Sequence, residues 1–308
     1  MKKKVFLFGL LFSLLLLCGC GVNLTSTVKL NKGFSGTRVM SCNFSSRDFH
    51  SYFKGSKEDL NKLIKESCPD ALTYTSSSSD GNDAYTFYLR FSSLDDYKKK
   101  VRDLLNFSPE ITYEYGDSPF VSGLIYKENF TSKDLMTWLY TALYEGKYID
   151  KDSSSDLWDL KSTKISFLGK TYETKDKINI DEMAYVPLSS IHIDTKTKKS
   201  GKLARVIEFD LPQQTLDQNA GKIRSYFAGN DITWENTSDG KTLCISFDAN
   251  NFSDLAQKTR TVLHSKNSFG TYSSTCSKDN PFTLKINYEE SLDLSHFIQK
   301  NQKIPVTY

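Results

Sequence analysis

The sequence predicts an α+β fold made of two tandem repeats. Each repeat is an antiparallel sheet with helices packed on one face, in a split βαβ-like order. Three observations predict it. Segments whose apolar residues alternate with period two are interleaved with segments of helical period. An Asp-Gly pair, a strong hairpin signal because glycine supplies the positive φ such turns need, lies between alternating segments at 80–81 and again at 239–240. The order of signals in residues 20–149 then recurs in residues 188–308.

Each copy opens on a hairpin. Val28, Leu30, the Gly33–Gly36 turn and Val39 match Ile191, Ile193, the turn around Gly201 and Val206. Arg38 to Phe44 aligns with Arg205 to Leu211, so Cys42 takes the core-facing place of Phe209. A helix follows: Ser56 is placed to cap a run with Leu60, Leu63 and Ile64 on one face. Its counterpart, entered near Thr215 to Asp217, carries Ile223, Tyr226 and Phe227. Leu72-Thr73-Tyr74 then matches Ile232-Thr233-Trp234, and Ser76 to Ser79 reads as a loop tip before the Asp-Gly turn. Phe87, Leu89 and Phe91 match Leu243, Ile245 and Phe247 on the returning strand.

The second helix, capped by Ser93, carries Leu94, Tyr97, Val101, Leu104 and Leu105. At one constant offset these meet Phe252, Leu255, Thr259, Val262 and Leu263. Two further strands cross Asp117-Ser118-Pro119-Phe120 in copy one and Asp279-Asn280-Pro281-Phe282 in copy two. A third short helix with Leu135, Trp138 and Leu139 is answered by Leu292, Leu294 and Phe297. Between the copies, residues 150–187 read as a connecting element with a hairpin around Gly169-Lys170, joining Ile165–Phe167 to Lys177–Ile180.

Residues 1–19 read as a leader. Lys2, Lys3 and Lys4 precede an apolar run, Val5 to Leu17, that is short for a bilayer span and is followed by small residues and polar chain. Its end resembles the bacterial lipobox: Leu17 at −3, Cys18 at −2, Gly19 at −1 and Cys20 at +1. The resemblance implies a diacylglycerol on the Cys20 thiol and cleavage between Gly19 and Cys20, the small residue letting the peptidase close on the backbone. Two or three acyl chains, at about 0.8 kcal/mol per buried CH2, give stable tethering to a membrane. The opening hairpin and the α+β order after it also resemble LppM-type lipoprotein domains, a family from which only location carries over.

Charge excludes one class of partner. The chain holds 40 Lys and Arg; without the three leader lysines, 37 remain against 37 Asp and Glu. A neutral mature chain with interspersed signs has no electrostatic footprint for nucleic acid. The Lys-, Asn- and Ser-rich composition suits a low-GC Gram-positive cell, with the chain facing outward from its membrane.

Chemistry-bearing motifs are scarce. Cys42, Cys68, Cys244 and Cys276 form no Cys-x-x-Cys pair and have no histidine at ligand spacing, so neither a metal nor another cofactor is expected. A Cys42–Cys68 disulfide is the first candidate pair outside the cytoplasm, and a buried inert Cys42 thiol is its alternative. Cys244, on the opposite strand face, has the weaker claim to burial. The four histidines, His50, His192, His264 and His296, have no counterpart across the copies and no visible base-orienting partner. No nucleophile elbow, P-loop or zincin motif is present. Tyr113, Tyr115, Trp138 and Tyr140 remain as candidate ligand-contact aromatics for a glycan or peptide, against a plain core role. The sequence therefore points to a non-enzymatic binding or envelope-assembly module. A glycan- or peptide-capture protein is the alternative, and an envelope hydrolase ranks third.

Overall fold

The computed structural model describes residues 22–45, 53–79, 82–105, 107–150, 157–265, 268–276, 284–299 and 304–307. The leader and lipobox, with Leu17, Cys18, Gly19 and Cys20, lie outside them, as do His50 and the Asp80-Gly81 turn. The fold is α+β with strand outweighing helix, and the chain divides into two compact units.

Unit 1 takes the described residues up to Glu114 together with Ile125–Asp181. Its strands are β1 (Val22–Leu30), β2 (Gly36–Ser45), β3 (Thr73–Ser79), β4 (Asn82–Phe91), the start of β5 (Ile111–Asp117), the end of β6 (Val121–Glu128), β7 (Trp158–Phe167), β8 (Lys170–Thr174) and β9 (Asn179–Asp181). The main sheet runs β3-β4-β2-β1-β7-β8. Because β2 and β3 are each antiparallel to β4, they run parallel with β4 between them, which is a split βαβ arrangement. Its helix is α1 (Lys57–Ser67), where Ser56 and Asp59 cap each other reciprocally as a capping box.

Alternation fixes which face is covered. Arg38, Met40, Cys42 and Phe44 on β2, and Tyr85, Phe87 and Leu89 on β4, are buried. Three contacts place the helices on that same face. Tyr85 donates to Asn61 of α1, Arg38 reaches Tyr97 of α2 (Leu94–Leu105), and Phe87 meets Trp138 of α3 (Thr137–Glu145) edge-on at 5.4 Å.

Three expectations change here. The sheet is mixed, because β7 pairs parallel with β1 along its whole length, Val22 beside Trp158 and Leu30 beside Phe167. Residues 158–174 are thus part of the unit 1 sheet rather than of a connecting element, since buried Ile165 and Phe167 extend its apolar face. Ser76–Ser79 are strand and not loop tip, pinned one by one to Tyr85, Ala84, Asp83 and Asn82.

Unit 2 takes Tyr115–Leu124 and Glu182–Tyr308, so the unit boundary runs through the β5–β6 hairpin. Its remaining strands are β10 (Ala184–Tyr185), β11 (Ser190–Thr197), β12 (Leu203–Pro212), β13 (Asp231–Asn236), β14 (Gly240–Ala249), β15 (Phe269–Cys276), β16 (Leu284–Ser291) and β17 (Val306–Thr307). The main sheet runs β13-β14-β12-β11-β17, with β17 parallel to β11. The helices are α4 (Gln213–Tyr226), which begins two residues before the expected entry, and α5 (Phe252–Val262), capped by Asn251. The expected third helix is absent: Ser295–Phe297 form a turn instead. Phe120, from the hairpin tip, fills the core there against Phe209, Phe227 and Phe297. The tip can approach only because Gly123 sits at φ 119°, where a Cβ would lie 2.0 Å from the carbonyl oxygen of Glu182.

Each core encloses a charged pair. In unit 1 the guanidinium of Arg38 is fully buried and donates to Glu128, Tyr97 and Ser132, all at 2.7 Å. The Tyr97 and Tyr126 hydroxyls donate to the other Glu128 oxygen. In unit 2 Arg205 grips Glu290 with two parallel bonds of 2.8 Å and also donates to Thr259 and Thr195. Tyr288 donates to the same carboxylate at 2.9 Å. Burial works against the charge of Arg38, but Glu128 and the two neighbouring phenols hold its pKa above the ordinary arginine value. Burial, then Glu290, pushes the Tyr288 phenol up to about 12.

A buried pair broken on one side leaves an unpaired charge, at about 3–5 kcal/mol. Arg38→Met is therefore expected to lower the unfolding free energy by about that amount, with Arg38→Met/Glu128→Leu recovering part of it. Denaturant titration followed by tryptophan fluorescence checks this, and a single-variant loss below about 1 kcal/mol contradicts it. A second expectation concerns the two-residue β7–β8 turn, where Leu168 sits at φ 47° before Gly169 at φ 82°. Such a turn favours Asn at the first position, so Leu168→Asn is expected to stabilise the chain by about 1 kcal/mol in the same titration.

Candidate functional site

Unit 1 carries a cleft of about 460 Å³ between its three helices. Leu63 and Ser67 come from α1, Asp103 and Leu104 from α2, and Trp138 and Glu145 from α3. Helical geometry makes this one wall: Trp138, Thr141, Ala142 and Glu145 fall on a single stripe of α3 at the i, i+3, i+4, i+7 spacing. Leu63, Leu104 and Trp138 give it apolar surface, while Asp103 and Glu145 supply negative charge and Ser67 and Thr141 hydroxyls. The indole Nε1 of Trp138 is enclosed without a hydrogen-bond partner among the described residues. This combination suits a small polar group carrying positive charge or several hydroxyls.

Of the four aromatic candidates, three belong to unit 1, and they do not line one cleft. Trp138 alone among them lines the cleft. Tyr140 lies on the opposite side of α3, where its ring stacks on Tyr144 at 6.3 Å. Tyr113 is a clamp: its hydroxyl donates to the carbonyl of Lys32 at 2.7 Å, and its ring stands edge-on to Phe34 at 4.7 Å and Phe167 at 6.4 Å. Tyr115 belongs to unit 2. Helix geometry sends Trp138 and Tyr140 to different sides of α3.

The expected Cys42–Cys68 disulfide is not formed; both thiols are free, as is that of Cys244. Cys42 points from β2 into the core, and Cys68 ends α1, where its backbone N–H caps Ile64. Burial pushes the Cys42 thiol far above its usual range. Cys244, expected to be the less buried, is enclosed as well at 6% exposure, paired across the strands with Glu208. Burial raises its pKa, and nearby Glu235 and Glu208 add to the effect. The side chain of Cys276 lies outside the described residues.

Three of the histidines have structural company. The ring of His192 meets the Thr307 hydroxyl, His264 Nε2 lies 3.0 Å from the Tyr226 carbonyl, and the His296 carbonyl accepts from Ser118. Among the described residues, no group of three His, Cys, Asp or Glu side chains is placed to hold a metal ion, and no helix is long and apolar enough to cross a membrane.

Sequence reasoning passed over the buried Arg38–Glu128 and Arg205–Glu290 pairs. A signal was present. Tyr126-Lys127-Glu128 and Tyr288-Glu289-Glu290 stand at the same spacing as the Asp117 and Asp279 motifs, 162 residues apart, and Arg38 already aligned with Arg205. No protein-family model matches this chain, and comparison with curated proteins also finds no match.

The thiols give a direct check. Alkylation of the native chain, read by peptide mass spectrometry, is expected to label Cys68 while Cys42 and Cys244 react only after unfolding. A disulfide-linked Cys42–Cys68 peptide would contradict the free-thiol assignment.

Proposed function

We propose that this chain is a lipid-anchored, non-enzymatic binding or envelope-assembly module on the outer face of a bacterial, Gram-positive membrane, built from two diverged copies of one α+β unit. The observation that carries the location is the lipobox, Leu17-Cys18-Gly19-Cys20 after a lysine-tipped apolar run. Among the described residues β1 begins at Val22, two residues after Cys20 in the sequence.

Three parallels support the two-copy reading. Both main sheets follow the same order, with a split βαβ at one end and a parallel strand beside the opening hairpin. Both place an arginine from the second strand on a glutamate two residues after a tyrosine. In both, the second helix supplies a hydroxyl to that arginine, Tyr97 in one and Thr259 one turn later in the other.

A second reading, capture of a glycan or peptide, is favoured by the Trp138 cleft, whose carboxylates and hydroxyls face a concave apolar wall. An envelope hydrolase ranks third: two carboxylates, Asp103 and Glu145, line the cleft, and none of the described histidines does.

Metabolic labelling with palmitate tests the anchor. The wild-type chain is expected to take up label and sediment with membranes, and Cys20→Ser to lose the label and retain its leader. Label persisting in Cys20→Ser, or none in the wild type, would refute the reading.

A further inference from the structure

We infer that β3 is an association edge through which this chain pairs with a second copy of itself, strand against antiparallel strand. The inference is independent of the lipid anchor. β3 is the terminal strand of the six-stranded sheet, and β4 is its strand partner.

Edge strands display a row of outward N–H and C=O groups. Proteins normally blunt such edges with charges, proline, bulges or brevity. β3 has none of these devices. Its seven residues, Thr73-Tyr74-Thr75-Ser76-Ser77-Ser78-Ser79, are uncharged, and its register with β4 is unbroken. All except Tyr74 are exposed. The other edges of the two main sheets differ, whereas β15, in the two-stranded sheet, is uncharged like β3. β13, at the matching place in unit 2, carries Asp231 and Glu235, while β8 is five residues long with Lys170 and Glu173. Charged neighbours among the described residues touch β3 toward its ends, Arg90 donating to Thr73 and Lys57 to Ser78.

The same features choose the occupant. Antiparallel self-pairing centred on Ser76 sets Thr75 opposite Ser77 of the second copy and Tyr74 opposite its Ser78. No like charges face each other, and cross-strand hydroxyl pairs of this kind are favourable. The twofold arrangement is closed, since each copy uses its β3 edge once, so it yields a dimer and not a filament.

The test uses the full chain in detergent, with protein mass read by light scattering over a wide concentration range. A dimer is expected for the wild type. Ser76→Lys puts two lysines face to face on the twofold and is expected to weaken the dimer at least tenfold, leaving circular dichroism and the melting temperature unchanged. Thr75→Lys/Ser77→Asp sets each introduced lysine against the other copy's introduced aspartate and is expected to keep the dimer. A wild-type monomer at every concentration would overturn the inference and leave the edge to an extended segment of another protein. A dimer indifferent to Ser76→Lys would overturn it equally.

Discussion

A guanidinium taken out of water constrains everything near it. Arg38 is buried, so its N–H groups depend on acceptors held within the fold, and Nε–H has none among the described residues. The acceptors come from far along the chain: Tyr97 from α2, Glu128 from the end of β6, and Ser132 just beyond it. Each bond therefore fixes one element against the sheet. Glu128 in turn receives two phenols, which stay neutral because burial holds both of their pKa values well above the usual range. Ser132 is tied on to Thr163 of β7 at 2.9 Å. A network this connected is worth more as a specifier of arrangement than as a source of stability, since a well-packed apolar replacement would often fold as tightly. Arg205 imposes the same demand on unit 2 with a smaller set of side chains, meeting it through a two-bond grip on Glu290.

How much of this was legible in the sequence depends on the kind of information each feature uses. Period-two alternation placed β2 and β4, because Met40, Cys42, Tyr85 and Phe87 all face one way. Ser56 and Ser93 announced the starts of α1 and α2 through local capping chemistry, and both caps are made. Non-local pairing was out of reach. Nothing local in Trp158 to Phe167 says that it runs parallel to β1, and so it passed for a connector. Composition misled at Ser76–Ser79: serine-rich chain resembles a loop, yet a returning strand supplies every partner. The expected third helix of the second copy failed for a tertiary reason, because Phe120 occupies the core beside Phe297. At the candidate site, sequence found Trp138 and missed Asp103 and Glu145, since joining three helix faces requires their packing.

The anchor, on the reading proposed above, has a direction. β1 leaves Gly21 at once, and nine residues at about 3.3 Å each carry the chain roughly 30 Å to its far end. β7 runs the same way, so Leu168 and the β1–β2 turn share that far end. Leu168 is 54% exposed in a left-handed conformation that a leucine adopts only at some cost. The anchor itself does not bring it to the bilayer.

The two units agree in some features and diverge in others, and the division is informative. Features required by the fold are shared: the split βαβ order, the parallel strand beside the opening hairpin and the buried arginine with its glutamate. What differs lies at the periphery. Unit 1 has α3 and a cleft against it, whereas unit 2 has Phe120 and a turn. Unit 1 ends its sheet on seven uncharged residues, and unit 2 on a strand bearing Asp231 and Glu235. Packing demands act on both units alike, so they explain the shared set and are silent on the rest. A charge absent from one edge and present on the other, or a tryptophan facing a cleft, is not needed to hold either sheet together. On the proposed reading they serve recognition, and both of them fall in unit 1, the unit whose first strand follows Cys20 in the sequence.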